Sequence, residues 1–410
     1  MSLRVLVRDD TPVTGVLTRA AAVPAGDWDA LTGPAAFYSS RAWVRGLEDI
    51  HGQGLVLTAS RAGRLTGVVP AWHSRDTRGL FCLADMTAPL PGPWEQQMLW
   101  LGTNRGTANA LTITRVPGTR QRTLCTLMDS ARGVAAAEGL SGVVWPYLTG
   151  DAAREAAACH PLAQTVLHCA DAIVSVPGNG MEGLEAAATS KDRRAWRREQ
   201  RLFHAHSTIE WTALSPEVIQ LIAPLLARTR AKYGSAGGRR WVERALTGQL
   251  PSGAAASAVV ALARPRHDTE VVAAAAVYYH RGDWLYGRYW GTKDDAPCPY
   301  AYFNLTHYAA VDYAARHGVR HLHLSLPATP SKTARTARPS PLALVLLPTG
   351  RTPLIDPGLL QEHNDHFARQ WWTRNRTASQ APPDAAWRTW MHAKHGPGHQ
   401  ERDALPHLHL

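Results

Sequence analysis

Apolar residues along this chain recur at every second position in some stretches and at every third or fourth in others, and the switches between the two periods mark out its elements. Leu3–Val7 predicts an opening strand, and Ala35–His51 a helix with Trp43, Leu47 and Ile50 on one stripe and Ser39 or Ser40 as its cap. Leu55–Ala59 and Thr66–Trp72 read as paired strands about the turn Ala62-Gly63-Arg64, and Pro89-Leu90-Pro91-Gly92-Pro93 marks a loop. A helix over Gln121–Glu138, a strand over Ser141–Leu148, a helix over Ala152–Ala158 and a strand over Gln164–Val176 complete a first mixed α/β unit. Pro177-Gly178-Asn179-Gly180 is the predicted boundary. Beyond it the order repeats: a basic helix over Gly183–Ala205, a strand over Ile209–Ala213, helices over Pro216–Tyr233 and Arg239–Thr247, and a strand over Ala256–Ala263. The shared order predicts a duplicated fold, although no residue-level repeat is visible.

The stretch from Glu270 to Ser325 holds the densest set of candidate functional side chains. Val271–Tyr279 and Trp284–Gly291 form a hairpin about Arg281-Gly282-Asp283. Unbroken alternation in its second strand puts Trp284, Tyr286, Arg288 and Trp290 on one face, and Leu285, Gly287, Tyr289 and Gly291 on the other. A helix over Tyr300–His317, ended by Gly318, leads to a further strand over Val319–Ser325. Leu342–Leu347 predicts another strand and Pro357–Asn375 a helix, after which a Pro- and His-rich tail is expected to dock loosely.

Composition narrows the class. With 410 residues, 45% hydrophobic and 19% charged, the chain is globular and long enough for two domains of roughly 150 to 200 residues each. The net charge of +11 implies attraction to polyanions. Lysine stands only at Lys191, Lys232, Lys293, Lys332 and Lys394, so an arginine-favouring codon bias explains which cation is used but not the excess over acids. Cys82, Cys125, Cys159, Cys169 and Cys298 are odd in number and have no metal-like spacing, so neither a disulfide framework nor a zinc site is expected. The opening MSLRVLVRDD has no apolar segment and no apolar run approaches about 18 residues, which predicts a cytoplasmic protein with no membrane insertion.

On the basic helix Lys191, Arg194, Arg198 and Arg201 share a face opposite Trp196 and Phe203, so the rings can dock while the cations meet phosphate or simply water. Arg288 among aromatic rings can clamp a phosphate or carboxylate, or stack for packing. Tyr278, Tyr279, Tyr300 and Tyr302 are potential oxyanion donors or core residues, and Asn304 is a cap or a substrate-orienting amide. Lys332 and Arg335 read as a loop free of nearby acids, open to a ligand phosphate. His392, His395 and His399 have metal-like spacing without carboxylate or thiolate support, so no metal is expected.

These residues resemble the FemAB-like branch of the GNAT acyltransferase superfamily, peptidoglycan-biosynthesis enzymes among them. Ser190-Lys191-Asp192-Arg193-Arg194-Ala195-Trp196-Arg197-Arg198-Glu199 is similar to the family's Arg-Arg-Glu helix, and Leu285-Tyr286-Gly287-Arg288-Tyr289-Trp290-Gly291 to its central strand. Tyr302-Phe303-Asn304 stands where the family usually has His-Phe-Glu, and Lys332-Thr333-Ala334-Arg335 with Pro339 is similar to its basic loop. Leu326–Pro330 departs from the family's Gly-rich segment. Trp43–Glu48 and Gly67–Pro70 resemble the first helix and strand more faintly, and the likeness spans residues 30 to 345 by order of elements.

The resemblance implies an α/β fold with mixed sheets in two tandem GNAT-type domains, 1–177 and 181–350, with a C-terminal helix and tail over 351–410. It further implies transfer of an acyl or aminoacyl group to an amine, often from aminoacyl-tRNA. GNAT enzymes hold the CoA pyrophosphate on a Gly-rich loop, whereas Asp294-Asp295-Ala296-Pro297-Cys298-Pro299 is acidic and proline-broken here, which disfavours CoA. The expectation is therefore a cofactor-free aminoacyltransferase acting on a cell-wall precursor or specialised metabolite, with tRNA as partner. Alternatives are an acyl-CoA N-acyltransferase and a non-catalytic RNA- or protein-binding module. Asn304, Arg288 and Tyr302 are the catalytic candidates in the second half; Tyr286, Trp290, Tyr279, Lys332 and Arg335 are assigned to substrate, and Lys191, Arg194, Arg198 and Arg201 to tRNA.

Overall fold

Twelve strands hydrogen-bond into one sheet whose order reads the same from either edge once the two halves of the chain are exchanged. The computed structural model describes residues 12–232, 237–293, 298–375 and 385–391. The first half supplies β1 (Val13–Arg19), β2 (Leu55–Arg61), β3 (Arg64–Trp72), β4 (Leu99–Leu101), β5 (Gly142–Thr149) and β6 (Gln164–Ser175). The second supplies β7 (Ser207–Ala213), β8 (Ala258–Pro265), β9 (Ala274–Arg281), β10 (Trp284–Thr292), β11 (His321–His323) and β12 (Arg338–Pro348). The sheet runs β1-β2-β3-β4-β5-β12-β6-β11-β10-β9-β8-β7. Each half thus ends by giving its last strand to the other: β12 lies between β5 and β6, and β6 pairs with β11. In each half a long helix links two parallel strands, β4 to β5 and β10 to β11.

The strand expected at Leu3–Val7 lies outside the described residues. The predicted helix over 35–51 is broken into a 3-10 turn, Pro34–Ser39, and helices Arg41–Gly46 and Glu48–His51, with Ser40 accepting from the Trp43 amide at 3.3 Å as the cap. The basic helix also divides, into Met181–Ala187 and Ser190–His206, and Thr189 caps the second by accepting from the Asp192 amide. Trp196 and Phe203 are buried while Lys191, Arg194, Arg198 and Arg201 are exposed, so this helix sits on the sheet by its apolar stripe. Each buried ring contributes about 1.5–3 kcal/mol to that docking.

Helices Pro117–Ala137 and Ser190–His206 cover one sheet face with a single apolar cluster that spans both halves. On the other face two large apolar clusters stand apart from a small one of Ala20, Val23, Trp28, Val44, Val56 and Val68. One gathers Phe37, Tyr38 and Trp43 with the helix Pro216–Lys232 and β8–β10; the other gathers Phe81, Trp100 and Tyr147 with β5, β6 and β12. Among the described residues, no helix is long and apolar enough to cross a membrane.

Candidate active site

β10 and β11 are parallel neighbours only from Trp284–Tyr286 against His321–His323, and then they part. Beyond that point the Leu324 amide turns to the Ala172 carbonyl of β6 at 2.8 Å, and Ser325 takes a φ of 59° that redirects the chain. β10 bulges between Gly287 and Tyr289, leaving Arg288 outside the register with β9. A bulge adds one residue and reverses every side chain beyond it. Tyr289 accordingly joins the face of Trp284 and Tyr286, while Trp290 joins that of Leu285. The common face expected for Trp284, Tyr286, Arg288 and Trp290 is corrected at Trp290 for this reason.

At the parting point stands a buried pair that the sequence reading passed over. His323 is 1% exposed, and its Nε2 lies 2.7 Å from Oδ2 of Asp171, itself 4% exposed. The carboxylate can only accept, so Nε2 carries a proton and donates, and in the neutral imidazole Nδ1 then holds the lone pair. That Nδ1 is enclosed without a partner among the described residues. The rings of Tyr286 and Tyr38 lie 5.3 and 6.2 Å from the imidazole. Burial raises the Tyr38 phenol well above its ordinary pKa against the opposing pull of the Arg288 guanidinium, so it stays protonated, and its O–H has no acceptor among the described residues.

Lys332 holds the segment after His323. Its Nζ donates to the carbonyls of Leu324, Ser325 and Leu326 at 2.9, 3.1 and 3.4 Å, using all three ammonium hydrogens. Burial lowers its pKa to about 8, with Asp171 opposing the shift. The folded state therefore releases this proton at lower pH than the unfolded chain. The penalty for the buried charge is complete below pH 8 and is relieved as pH rises from about 8 towards 10.5, so stability from this group increases across that window. In urea titrations between pH 7 and 10, Lys332→Met should flatten that rise relative to the parent protein; equal slopes would show that the lysine is not so shifted.

The remaining sequence candidates fall into three environments. Arg288 donates from Nη2 to the Arg105 carbonyl at 2.7 Å, with its guanidinium carbon 5.5 Å from the ring centres of Tyr38 and Trp43. Tyr286 and Tyr279 are in the core: Tyr286 donates to the Pro34 carbonyl at 3.2 Å, and Tyr279 donates to the Gln249 side chain. Asn304 and Tyr302 lie on the opposite sheet face, in a helix that winds as a π-turn over Asn304–Tyr308; Trp290 packs edge-on against Tyr302 at 5.3 Å. Asn304 donates to the Tyr300 carbonyl at 3.0 Å, and its Oδ1 is enclosed without a partner.

Arg335 is not in an acid-free loop. It is 9% exposed, and its Nη2 bonds both oxygens of Glu199 at 2.8 Å, its Nε bonds the Tyr308 hydroxyl at 2.8 Å, and its guanidinium carbon lies 3.4 Å from the Phe303 ring centre. The Arg-Arg-Glu segment and the basic loop are thus the two sides of one buried ion pair. Asp294, Asp295, Ala296 and Pro297, and His392, His395 and His399, lie outside the described residues. Among the described residues, no group of three or more His, Cys, Asp or Glu side chains could hold a metal ion.

A mixed sheet whose parallel strands separate beside polar side chains is the architecture of a GNAT-type acyltransferase. The profile of the FemAB-like family, described as peptidoglycan biosynthesis/recognition, matches residues 109–326, more than half of the chain. The chain belongs to this FemAB-like family of the GNAT acyltransferase superfamily. The crystal structure of FemX superposes with a TM-score of 0.55 at 12% identity, covering 85% of this chain and 99% of that one. A conserved protein of unknown function from Bacteroides thetaiotaomicron gives 0.48 at 12% identity over 80% and 98% of the two chains. A tandem GNAT protein from the clavulanic acid biosynthesis pathway, solved without acetyl-CoA, gives 0.45 at 12% identity over 83% and 99%. No curated protein matches the chain in sequence.

Proposed function

We propose that this acyltransferase forms an amide between an activated acyl group and an amine, with His323 as general base where β10 and β11 part. The observation that carries this reading is the unpartnered Nδ1 of a buried imidazole whose Nε2 is held by Asp171. The amine nitrogen attacks the acyl carbon and the new C–N bond forms as Nδ1 takes the amine proton. The C–S or C–O bond to the carrier then breaks, and the proton passes to the departing sulfur or oxygen. The Tyr38 hydroxyl, protonated and with no acceptor for its O–H among the described residues, is the candidate donor to the oxyanion formed between these steps. The mirrored sheet order supports reading the two halves as paired GNAT-type domains, each completed by the other's last strand.

Two donors suit this centre. An acyl-CoA thioester is already activated and needs little beyond alignment and a seat for its phosphates, which the cations beside Arg288 favour. Aminoacyl-tRNA is supported by the exposed stripe Lys191, Arg194, Arg198 and Arg201. The acceptor class is an amine of a cell-wall precursor or specialised metabolite. Incubation with acyl-CoA or charged tRNA and a panel of amines, followed by mass spectrometry of the amide with and without ribonuclease, separates the donors. If tRNA is the donor, the triple variant Arg194→Gln, Arg198→Gln, Arg201→Gln should reduce the log-log salt slope of tRNA binding by about 0.7 to 0.9 per lost phosphate contact. Ribonuclease-insensitive product together with an unchanged slope assigns the donor to acyl-CoA, and the absence of amide from either donor would overturn the reading.

A further inference from the structure

Two of the five cysteines meet across a helix seam in the first half of the chain. Cys125 lies along the helix Pro117–Ala137, and Cys159 stands in the turn that follows the helix Gly150–Ala157 and leads into β6. The two helices are clasped beside this turn, where Arg120 donates from Nε and Nη2 to the two oxygens of Glu155 at 2.6 and 2.8 Å. Gln121, the next residue, reaches both sulfurs. Its Nε2 lies 3.5 Å from Sγ of Cys125 and 3.6 Å from Sγ of Cys159, so one side-chain nitrogen touches both thiols.

The other cysteines are placed differently. Cys82 and Cys169 are buried, and Cys298 lies beside the Ser207 hydroxyl at 3.3 Å. Cys125 and Cys159 are both half-buried, which leaves each open to a small molecule. Burial pushes the Cys159 thiol up, and the Cys125 thiol hydrogen-bonded beside it pushes it further. A thiolate rather than a thiol attacks a disulfide, so the first attack falls to Cys125 and Cys159 follows as the resolving sulfur.

We propose that Cys125 and Cys159 form a site of reversible oxidation by low-molecular-weight disulfides, closing to an intramolecular disulfide that fastens the helix Pro117–Ala137 to the turn entering β6. The site lies on the sheet face opposite His323 and does not depend on the acyl-transfer reading. Cys125 gives up its proton and its thiolate attacks one sulfur of the small disulfide, whose S–S bond breaks as one small thiolate leaves. Cys159 then loses its proton and attacks Sγ of the mixed disulfide at Cys125, so the protein S–S bond forms as the second small thiolate departs. The two protons pass to the two departing thiolates, and the two electrons reduce the small disulfide to two thiols. Where thiols are kept reduced the pair stays open, and it closes when disulfide accumulates.

Incubation of the full chain with glutathione disulfide, followed by mass spectrometry of unreduced peptides, tests the site. The expected product is a cross-linked pair of peptides bearing Cys125 and Cys159, about 2 Da lighter than the two thiol peptides together and returned to them by dithiothreitol. Cys159→Ser removes the resolving sulfur and should stop at one glutathione on Cys125. Cys125→Ser should slow modification of Cys159 at least about ten-fold relative to modification of Cys125 in Cys159→Ser, the cost of attack by a thiol held protonated. The peptide map of the parent protein decides even where a variant does not fold. Both thiols left free, glutathione on either cysteine without the cross-link, or a cross-link from either to a third cysteine overturns the proposal.

Discussion

His323→Gln should fold and lose about 100- to 10,000-fold in turnover, the span that a positioned general base contributes. Gln preserves much of the volume and can still hydrogen-bond Asp171, but it has no basic nitrogen to offer the amine. Asp171→Asn is the sharper probe. Its amide can donate to Nε2, which would force the proton onto Nδ1 and remove the lone pair that the reaction needs. The two variants should therefore lose similar amounts in kcat while acceptor KM changes little. A melting curve near that of the parent protein separates this outcome from misfolding. Normal turnover in both folded variants would remove His323 from the chemistry.

The second large effect concerns stability. Arg335→Met leaves the Glu199 carboxylate enclosed beside Tyr308 with no cation, and should cost about 3–5 kcal/mol in the denaturant midpoint analysis. Glu199→Leu combined with Arg335→Met removes both charges and should recover most of that loss. Recovery would show that the single variant suffers from a stranded charge rather than from lost packing on Phe303. A double variant as unstable as the single one would point to the packing instead. Either way the ion pair ties the basic helix to the segment carrying Lys332, which grips the backbone just after His323.

Where function rested on local periodicity, the sequence was readable. The docking of Trp196 and Phe203 opposite the exposed cations follows from helical spacing alone, and the hairpin of β9 and β10 follows from its turn. Alternation misled beyond Arg288, at Trp290, because an added residue in a strand leaves no mark in a pattern that already mixes rings, glycines and a cation. The loop around Arg335 looked free of acids because its partner Glu199 lies 136 residues earlier. His323 and Asp171 are 152 residues apart and meet only because β6 crosses to lie beside β11. The one local clue was a pair of histidines, His321 and His323, alternating with Leu322 and Leu324 in a short strand otherwise suited to the core.

The exchanged final strands bear on how the chain can be made. β5 has β4 on one side but cannot acquire its second neighbour until β12 exists, and β6 must wait for both β11 and β12. A ribosome adding about 5 to 20 residues per second needs roughly ten to thirty seconds to pass from the end of β6 to the start of β12. Throughout that interval the nascent first half presents open strand edges, which invite pairing with other chains. The same interlock that brings Asp171 to His323 therefore keeps the first half from completing its sheet until β12 has been made, and ties yield to whatever shields those edges in the meantime.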